Sequence, residues 1–330
     1  MARALAMAAA MVLALAAPAW ARAEERIAIP SETPGSMGEY LHHAGPAATV
    51  VGYLYLPAGA KGPVPAMILK HGSGGLEGAH GDNIRKWARL LNDWGIAAFV
   101  VDSFGPRGIS GTAEDQGQLK PWADLADTFS ALKVLAADPR IDPGRIGVIG
   151  WSRGGGVAMQ AALETARLAV LAPTDPKFAA HVIFYGASEP QYRDRATDGA
   201  PMLFLHGEAD DYVPMATTRE FADWFKSMGD PVTFIGYPHA YHDFDVEGGH
   251  EGFARGVETA RACDAVIDLS IGHVVRLDHK PVSGLSPSAF AAYFRSCTGT
   301  GADLGYDGAA RADAIVQVRA FLAQAFHLQG

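Results

Sequence analysis

The sequence predicts an α/β fold built on a mostly parallel, doubly wound sheet with helices on both faces. Three observations predict it. Short apolar runs alternate along the chain with longer segments of helical spacing. Each run is almost continuously apolar, as strands covered on both faces are. Several runs end in glycine-rich or polar turns, which is where an open α/β sheet presents its ligands. The composition agrees, with 49% hydrophobic and 19% charged residues in a chain of 330, enough for a large core.

The first 23 residues stand apart. Arg3 precedes an Ala, Leu, Met and Val run from Ala4 to Ala17, and Pro18 precedes Ala19-Trp20-Ala21-Arg22-Ala23. A basic start, a short apolar core and a small-x-small end form a secretory signal pattern, with cleavage after Ala21 or Ala23. The competing reading is an N-terminal helix of the mature fold. Export implies a periplasmic or secreted protein. The run is short for a membrane span and no cysteine follows it, so no membrane anchor is expected. In an oxidising compartment Cys263 and Cys297 are expected to pair, two free thiols being the alternative. The formal net charge of −9 and the lack of a basic run argue against nucleic acid as a partner.

Residues 24–330 read as one domain. Thr49 to Leu56 alternates and is β-branched, a strand. Pro57 to Pro63 is a turn. Val64 to Lys70 is a buried strand that opens into His71-Gly72-Ser73-Gly74-Gly75. Ile84, Trp87, Leu90 and Leu91 give helical spacing to 82–94, and Gly95 ends it. Ile96 to Val101 is a strand that closes at Asp102-Ser103-Phe104-Gly105-Pro106-Arg107-Gly108. Ala123 to Ala137 is a helix. A further strand follows, then Gly150-Trp151-Ser152-Arg153-Gly154, then a helical segment from Val157 to Ala166. His181 to Tyr185, Met202 to Leu205 and Val232 to Tyr237 are strands, with a helix from Met215 to Met228 between the last two. Residues 247–307 break this rhythm and read as an elaboration near the site, with a strand from His273 to Leu277 and a helix starting near Ser286. Ala309 to Phe326 closes the chain as an amphipathic helix.

Four motifs fall at the carboxyl ends of expected strands: the His71 loop, Gly150 to Gly154, the Asp210 turn and the His242 turn. Gly-x-Ser-x-Gly between a strand and a helix is the nucleophile-elbow pattern, and the order Ser…Asp…His is that of the α/β-hydrolase fold. Ser152 is therefore the expected nucleophile. His242 is its expected base, and Asp210 is expected to hold the imidazole. Asp211 and His239 compete for the last two roles. Asp210 better fits the spacing from His206-Gly207, and His239 fits the turn after Pro238. The backbone N–H groups of Arg153 and Ser73 are the expected oxyanion donors. His71 and His206 are expected to be structural. His239, His242, Asp243 and Asp245 are close enough in sequence to suggest a metal set, but no metal is expected there.

Gly150-Trp151-Ser152-Arg153-Gly154, Val101 to Gly108, His206-Gly207-x-x-Asp210 and Tyr237-Pro238-x-Ala240-Tyr241-His242-x-Phe244 together resemble the dienelactone hydrolase family of α/β-hydrolases. The resemblance runs from about Val50 to His242 and resumes in the last helix. It implies a hydrolase of small-molecule carboxylic esters or lactones that uses no cofactor, with Ser152, Asp210 and His242 on the family's triad positions. The chain departs from the family at three places. The family's cysteine nucleophile is Ser152 here. Its loop glutamate is absent from His71-Gly72-Ser73. Of two arginines that would hold a substrate carboxylate, one is matched by Arg107 and the other falls on Val246. Dienelactone itself is thus not the expected substrate. Arg107 is expected to bind an anionic substrate group or to fix its own loop. Trp151, Phe104 and Tyr212 are expected as pocket walls or as core. Two further readings are a peptidase of the prolyl-oligopeptidase type and a non-catalytic binding protein on the same fold.

Overall fold

The computed structural model describes residues 24–328. The expected signal peptide lies outside the described residues. In chain order the first elements are β1 (Glu25–Glu32), α1 (Met37–Leu41), β2 (Ala47–Tyr55), β3 (Val64–Lys70), α2 (Gly78–Asp93) and β4 (Ala97–Asp102). After α3 (Pro121–Ala136) come β5 (Ile141–Trp151), α4 (Arg153–Gln160), α5 (Glu164–Leu168), β6 (His181–Phe184) and β7 (Gln191–Arg193). Then follow β8 (Met202–Gly207), α6 (Met215–Met228) and β9 (Val232–Tyr237). The C-terminal part holds β10 (Gly252–Thr259), β11 (Ala265–Asp268), β12 (His273–Leu277), β13 (Lys280–Pro281), α7 (Pro287–Cys297), β14 (Gly299–Leu304) and α8 (Gly308–Ala325).

The main sheet has eight strands in the order β1-β2-β4-β3-β5-β6-β8-β9. Every pair from β4 to β9 is parallel, and β2 is antiparallel to both of its neighbours. This is the α/β-hydrolase arrangement that the strand and motif order predicted. Strand β3 shows why the runs are continuously apolar. Ala66 and Ile68 face the core under α3, α4 and α6, while Met67 and Leu69 face the core under α2 and α8. Side chains alternate along a strand, so a strand buried on both faces needs apolar residues throughout. Helix α8 completes one of those cores with Ala310, Ala314, Val318 and Leu322, a four-residue spacing that gives one buried stripe. The Asp307 side chain caps it by accepting the N–H groups of Ala309 and Ala310.

Strand β1 and helix α1 were not anticipated from the sequence. Strand β1 is a polar edge strand paired only with β2, and α1 is one short turn capped by Ser36. The helix expected over Val157 to Ala166 is two pieces, α4 and α5. In the C-terminal part, β10 and β14 form a two-stranded ribbon, and β11, β12 and β13 join β7 in a four-stranded sheet. Cys263 and Cys297 are joined with an S–S distance of 2.04 Å, tying the last residue of α7 to the turn before β11. None of the described helices is long and apolar enough to cross a membrane.

Candidate active site

Ser152 stands between β5 and α4 with φ 53° and ψ −116°, a strained conformation for a residue with a side chain. The two flanking glycines make the turn possible. A Cβ on Gly150 would lie 2.0 Å from the Gly154 carbonyl oxygen, and one on Gly154 would lie 2.2 Å from the Lys70 carbonyl oxygen. Both neighbours are backbone, so neither yields. The turn is pinned by the Ser152 N–H donating to the Phe184 carbonyl at 3.0 Å, and the Ser152 carbonyl accepts from Gly156 and Ala187, each at 2.9 Å.

The turns after β8 and β9 meet this elbow. His242 Nε2 lies 2.9 Å from Ser152 Oγ, and His242 Nδ1 lies 2.7 Å from Asp210 Oδ2. Asp210 is buried, and its other oxygen accepts the N–H groups of Tyr212 at 2.9 Å and Val213 at 2.8 Å. Burial pushes the Asp210 carboxyl upward, but the charge of His242 and hydrogen bonds from His206 and His242 outweigh it and hold the group well below the usual range. Burial likewise disfavours charge on His242, yet Asp210 raises it above the ordinary histidine value. Tyr185 and Tyr212 pack on the His242 ring with centroids 4.5 and 4.7 Å away. The competing residues stand elsewhere. Asp211 pairs with Arg261 at 2.7 Å, and His239 is exposed in a left-handed turn with φ 65°.

The loop after β3 lies beside the nucleophile. A Cβ on Gly72 would be 3.3 Å from Ser152 Cβ, so the missing side chain lets Ser73 come alongside. Ser73 Oγ accepts from Gln116 Nε2 at 2.9 Å. Arg153 is the first residue of α4, so its N–H has no intrahelical acceptor. Its guanidinium is held by Asp124 at 2.8 Å and by Gln116 Oε1 at 3.2 Å. His71 bonds the Gly72 carbonyl at 2.9 Å through Nδ1 and accepts the Ser103 N–H at 3.3 Å through Nε2. Burial, followed by the nearby Lys70 charge, lowers its pKa to about 4, so His71 is neutral and structural.

Ser152, Ser73, Arg153 and Tyr212 all line a cavity of about 390 Å³. Three other expected substrate contacts do not. Every N–H of the Arg107 guanidinium is engaged inside the protein: two with Asp127, at 2.7 and 3.0 Å, and the rest with Ser103, Glu32 and Thr33. Arg107 therefore fixes its own loop and does not line the cavity. Trp151 is core, stacked on Phe184 at 5.4 Å with its indole N–H donated to Asp245 at 2.9 Å. Phe104 is core as well, with its ring 4.3 Å from that of His71. Asp245 is buried and also accepts from Asn83, Trp87 and Tyr185, while Asp243 lies 2.9 Å from His80 Nε2. Asp243 and Asp245 thus serve partners other than His242.

The cavity has walls that sequence reasoning missed. Trp122 is in the first turn of α3, Tyr192 is in β7, Gln160 ends α4, Glu189 follows β6, and Phe290 and Phe294 are on α7. Gln160 alone carried a signal, since it lies two helical turns beyond Ser152 on the helix that the elbow starts.

A model described as the dienelactone hydrolase family matches residues 50–269. Among curated proteins, the chain is 25% identical over 229 residues to a Bacillus subtilis protein named "Uncharacterized peptidase YuxL", covering 60% of this chain and 34% of that one. The chain thus spans about a third of that relative's length. It is 26% identical over 212 residues to a Methylorubrum extorquens protein named "Putative carboxymethylenebutenolidase", covering 59% of this chain and 68% of that one. Among solved structures, a dienelactone hydrolase-like promiscuous phosphotriesterase from metagenomic libraries superposes with a TM-score of 0.51 at 18% identity, over 92% of this chain and 99% of that one. A Thermogutta terrifontis esterase gives a TM-score of 0.48 at 21% identity, over 60% and 80% of the two chains.

Proposed function

The chain belongs to the dienelactone hydrolase family, and from that premise we propose that it is an exported serine hydrolase that cleaves carboxylic esters through an acyl-enzyme. One observation carries the reading: Ser152 Oγ, His242 and Asp210 form a continuous hydrogen-bonded relay, and its serine end opens on the cavity. In the first half-reaction His242 Nε2 takes the Ser152 proton as Oγ bonds to the ester carbonyl carbon. The imidazolium so formed is stabilised by Asp210. The N–H groups of Arg153 and Ser73 are assigned to the carbonyl oxygen as it becomes negative. The ester C–O bond then breaks, and the alcohol leaves with the proton from His242. Water repeats the sequence in the second half-reaction, giving the acid and free Ser152. With a lactone the hydroxyl freed in the first half-reaction is part of the acyl group, and the second half-reaction releases a single hydroxy acid. A serine there suits this cycle without a thiolate, because the relay supplies the base.

A fluorophosphonate probe tests the reading together with 4-nitrophenyl acetate turnover. The expected result is one label per chain, on Ser152. Ser152→Ala should lose the label and lose turnover on the order of 10⁴-fold, with its circular dichroism unchanged. Turnover kept in the variant would overturn the mechanism, and a wild-type protein that is neither labelled nor active would overturn it in favour of a binding protein. The likeness to a peptidase-named relative is tested by an aminoacyl 4-nitroanilide alongside. The ester should be hydrolysed and the anilide should not. The export reading requires that the mature chain recovered from the periplasm or medium begin at Arg22 or Glu24, which intact-mass measurement reads directly.

A further inference from the structure

We propose that Gln116 is a positioning residue for the oxyanion site: its side chain bridges the Ser73 loop and the Arg153 guanidinium and so sets the spacing of the two donor N–H groups. The inference rests on the serine hydrolase reading above and adds to it a residue outside the Ser152–His242–Asp210 relay.

The two assigned donors belong to different elements. Ser73 is in the loop after β3, and Arg153 opens α4. An oxyanion is stabilised when both N–H groups stand about 2.7–3.1 Å from one point, so a small change in their separation loses one of them. Strands β3 and β5 align the two elements below the site. Their parallel ladder ends at the Lys70–Gly150 pair, three residues short of each donor. Beyond that pair other contacts must fix the spacing. The Ser73 N–H has no acceptor among the described residues, and Ser73 lines the cavity, as a donor kept for substrate requires.

Gln116 closes the gap. An arginine side chain only donates, so the carboxamide oxygen faces Arg153 and the nitrogen faces Ser73. Oε1 accepts from Arg153 Nη1 and from the Thr112 hydroxyl, each at 3.2 Å. Nε2 donates to Ser73 Oγ at 2.9 Å and reaches the Tyr212 hydroxyl at 3.4 Å. The Thr112 N–H donates to the Ser73 carbonyl at 2.8 Å, so residues 112–116 hold Ser73 by side chain and backbone together. The two loops lie directly on each other: a Cβ on Gly75 would stand 2.6 Å from the Ser110 carbonyl oxygen. Arg153 is fixed in turn, with Nε on buried Asp124 at 2.8 Å and a further bond to the Leu119 carbonyl. Gln116 itself is clasped by one residue of β10. Its N–H donates to the Glu258 carboxylate at 2.7 Å, and the Glu258 N–H donates to the Ala113 carbonyl at 2.7 Å. Hydrogen bonds to a carboxylate are the stronger kind, which suits an anchor. Gln116 also lines the cavity, so direct contact with bound ester is the competing role.

The test measures kcat and KM for 4-nitrophenyl acetate in Gln116→Met, which keeps the length of the side chain and removes both polar ends. Both half-reactions pass through an oxyanion, so kcat should fall about tenfold or more. KM should stay within about threefold, because the ground-state carbonyl gains little from the site. A trifluoromethyl ketone and its secondary alcohol then separate donor geometry from general loosening. Ser152 Oγ bonds to the ketone carbon, the Ser152 proton passes to His242, and the ketone oxygen becomes the oxyanion. The alcohol forms no such bond. The ketone's inhibition constant should rise in step with the fall in kcat, and the alcohol's should stay as in wild type. Complete fluorophosphonate labelling at long incubation shows that Ser152 is in place in the variant. Gln116→Asn, too short to bridge, replaces a methionine variant that fails to fold. A smaller fall in kcat, a loss confined to KM, or equal weakening of ketone and alcohol in a fully labelled variant overturns the inference alone. Wild-type protein that neither labels nor hydrolyses the ester overturns the serine hydrolase reading beneath it.

Discussion

Asp210 and His242 set each other's charge, and a pH dependence follows. Asp210 raises the His242 pKa above the ordinary histidine value by stabilising the imidazolium. Protonated His242 cannot accept the Ser152 proton, so kcat/KM is full above that raised pKa and is lost as pH falls through it. Asp210→Asn removes the stabilising charge while the burial that disfavours the imidazolium remains. The acid limb should therefore move to lower pH, and the plateau should drop on the order of 10⁴-fold. A pH–rate profile of both proteins reads this, and an unmoved limb would show that Asp210 does not govern His242. Arg107 makes the opposite case, a charged residue next to the site that does not serve it. Its partner Asp127 is fully buried and the pair is bidentate. Arg107→Ala should cost about 3–5 kcal/mol in urea unfolding by leaving that carboxylate unpaired, and should leave the KM ratio of anionic to neutral acyl esters unchanged. These residues show what the sequence disclosed. Ser152, Asp210 and His242 stand in turns whose glycines and strand ends are visible in the chain itself. The directions of Arg107, Trp151 and Phe104 depend on Asp127, Asp245 and His71, and nothing in the local sequence names those partners.

Helix α4 is the element on which the proposed nucleophile and the proposed oxyanion donor both depend. Its first turn consists of residues that bring no bulk against the sheet, and the reason lies at single atoms. A methyl group on Gly154 would stand 2.2 Å from the Lys70 carbonyl oxygen. Moving either backbone would open β3 or shift Ser152. Gly154→Ala should thus destabilise the fold by more than about 3 kcal/mol or abolish soluble protein. Ala158→Gly on the same helix should cost about 1 kcal/mol. Urea midpoints compare the two, and a tolerated Gly154→Ala would mean that the elbow can relax. The start of α4 was legible because the glycine pattern is a backbone requirement. Its end was not. Nothing in Ala161-Ala162-Leu163 breaks a helix, and the break comes from distant partners. The Glu164 N–H bonds the Ala196 carbonyl at 3.1 Å, and the Thr165 N–H bonds Asp194 at 2.6 Å. Strand β7 was invisible for the same reason, being three residues that become a strand by pairing in parallel with β11.

At the scale of the whole molecule, the proposed machinery and the proposed specificity come from different parts of the chain. The nucleophile, base, acid and oxyanion groups follow β3, β5, β8 and β9 of the main sheet. One wall of the cavity comes from the C-terminal part, through Thr259, Arg261, Phe290 and Phe294. None of the residues of α7 is fully buried; Phe290 packs at the edge of the main core and the Tyr293 hydroxyl bonds Asp264 and Asp278. The Cys263–Cys297 disulfide spans 34 residues and joins this helix to the turn below it. Closing a loop of that length restricts the unlinked chain by about 3–4 kcal/mol in the entropy model. The main sheet has its own cores on both faces and does not need the bond. Replacing both cysteines by serine should therefore leave the kcat/KM for 4-nitrophenyl acetate within about twofold of wild type, because acetate ends before the aromatic wall. For 4-nitrophenyl 3-phenylpropanoate, whose ring reaches that wall, KM should rise several-fold while kcat holds, since the wall binds ground state and transition state alike. Hydrogen exchange should rise in α7 and stay unchanged in β3 and β5. Equal losses on both esters would mean that the disulfide supports the relay itself, and the division between a rigid sheet and a tethered wall would fall.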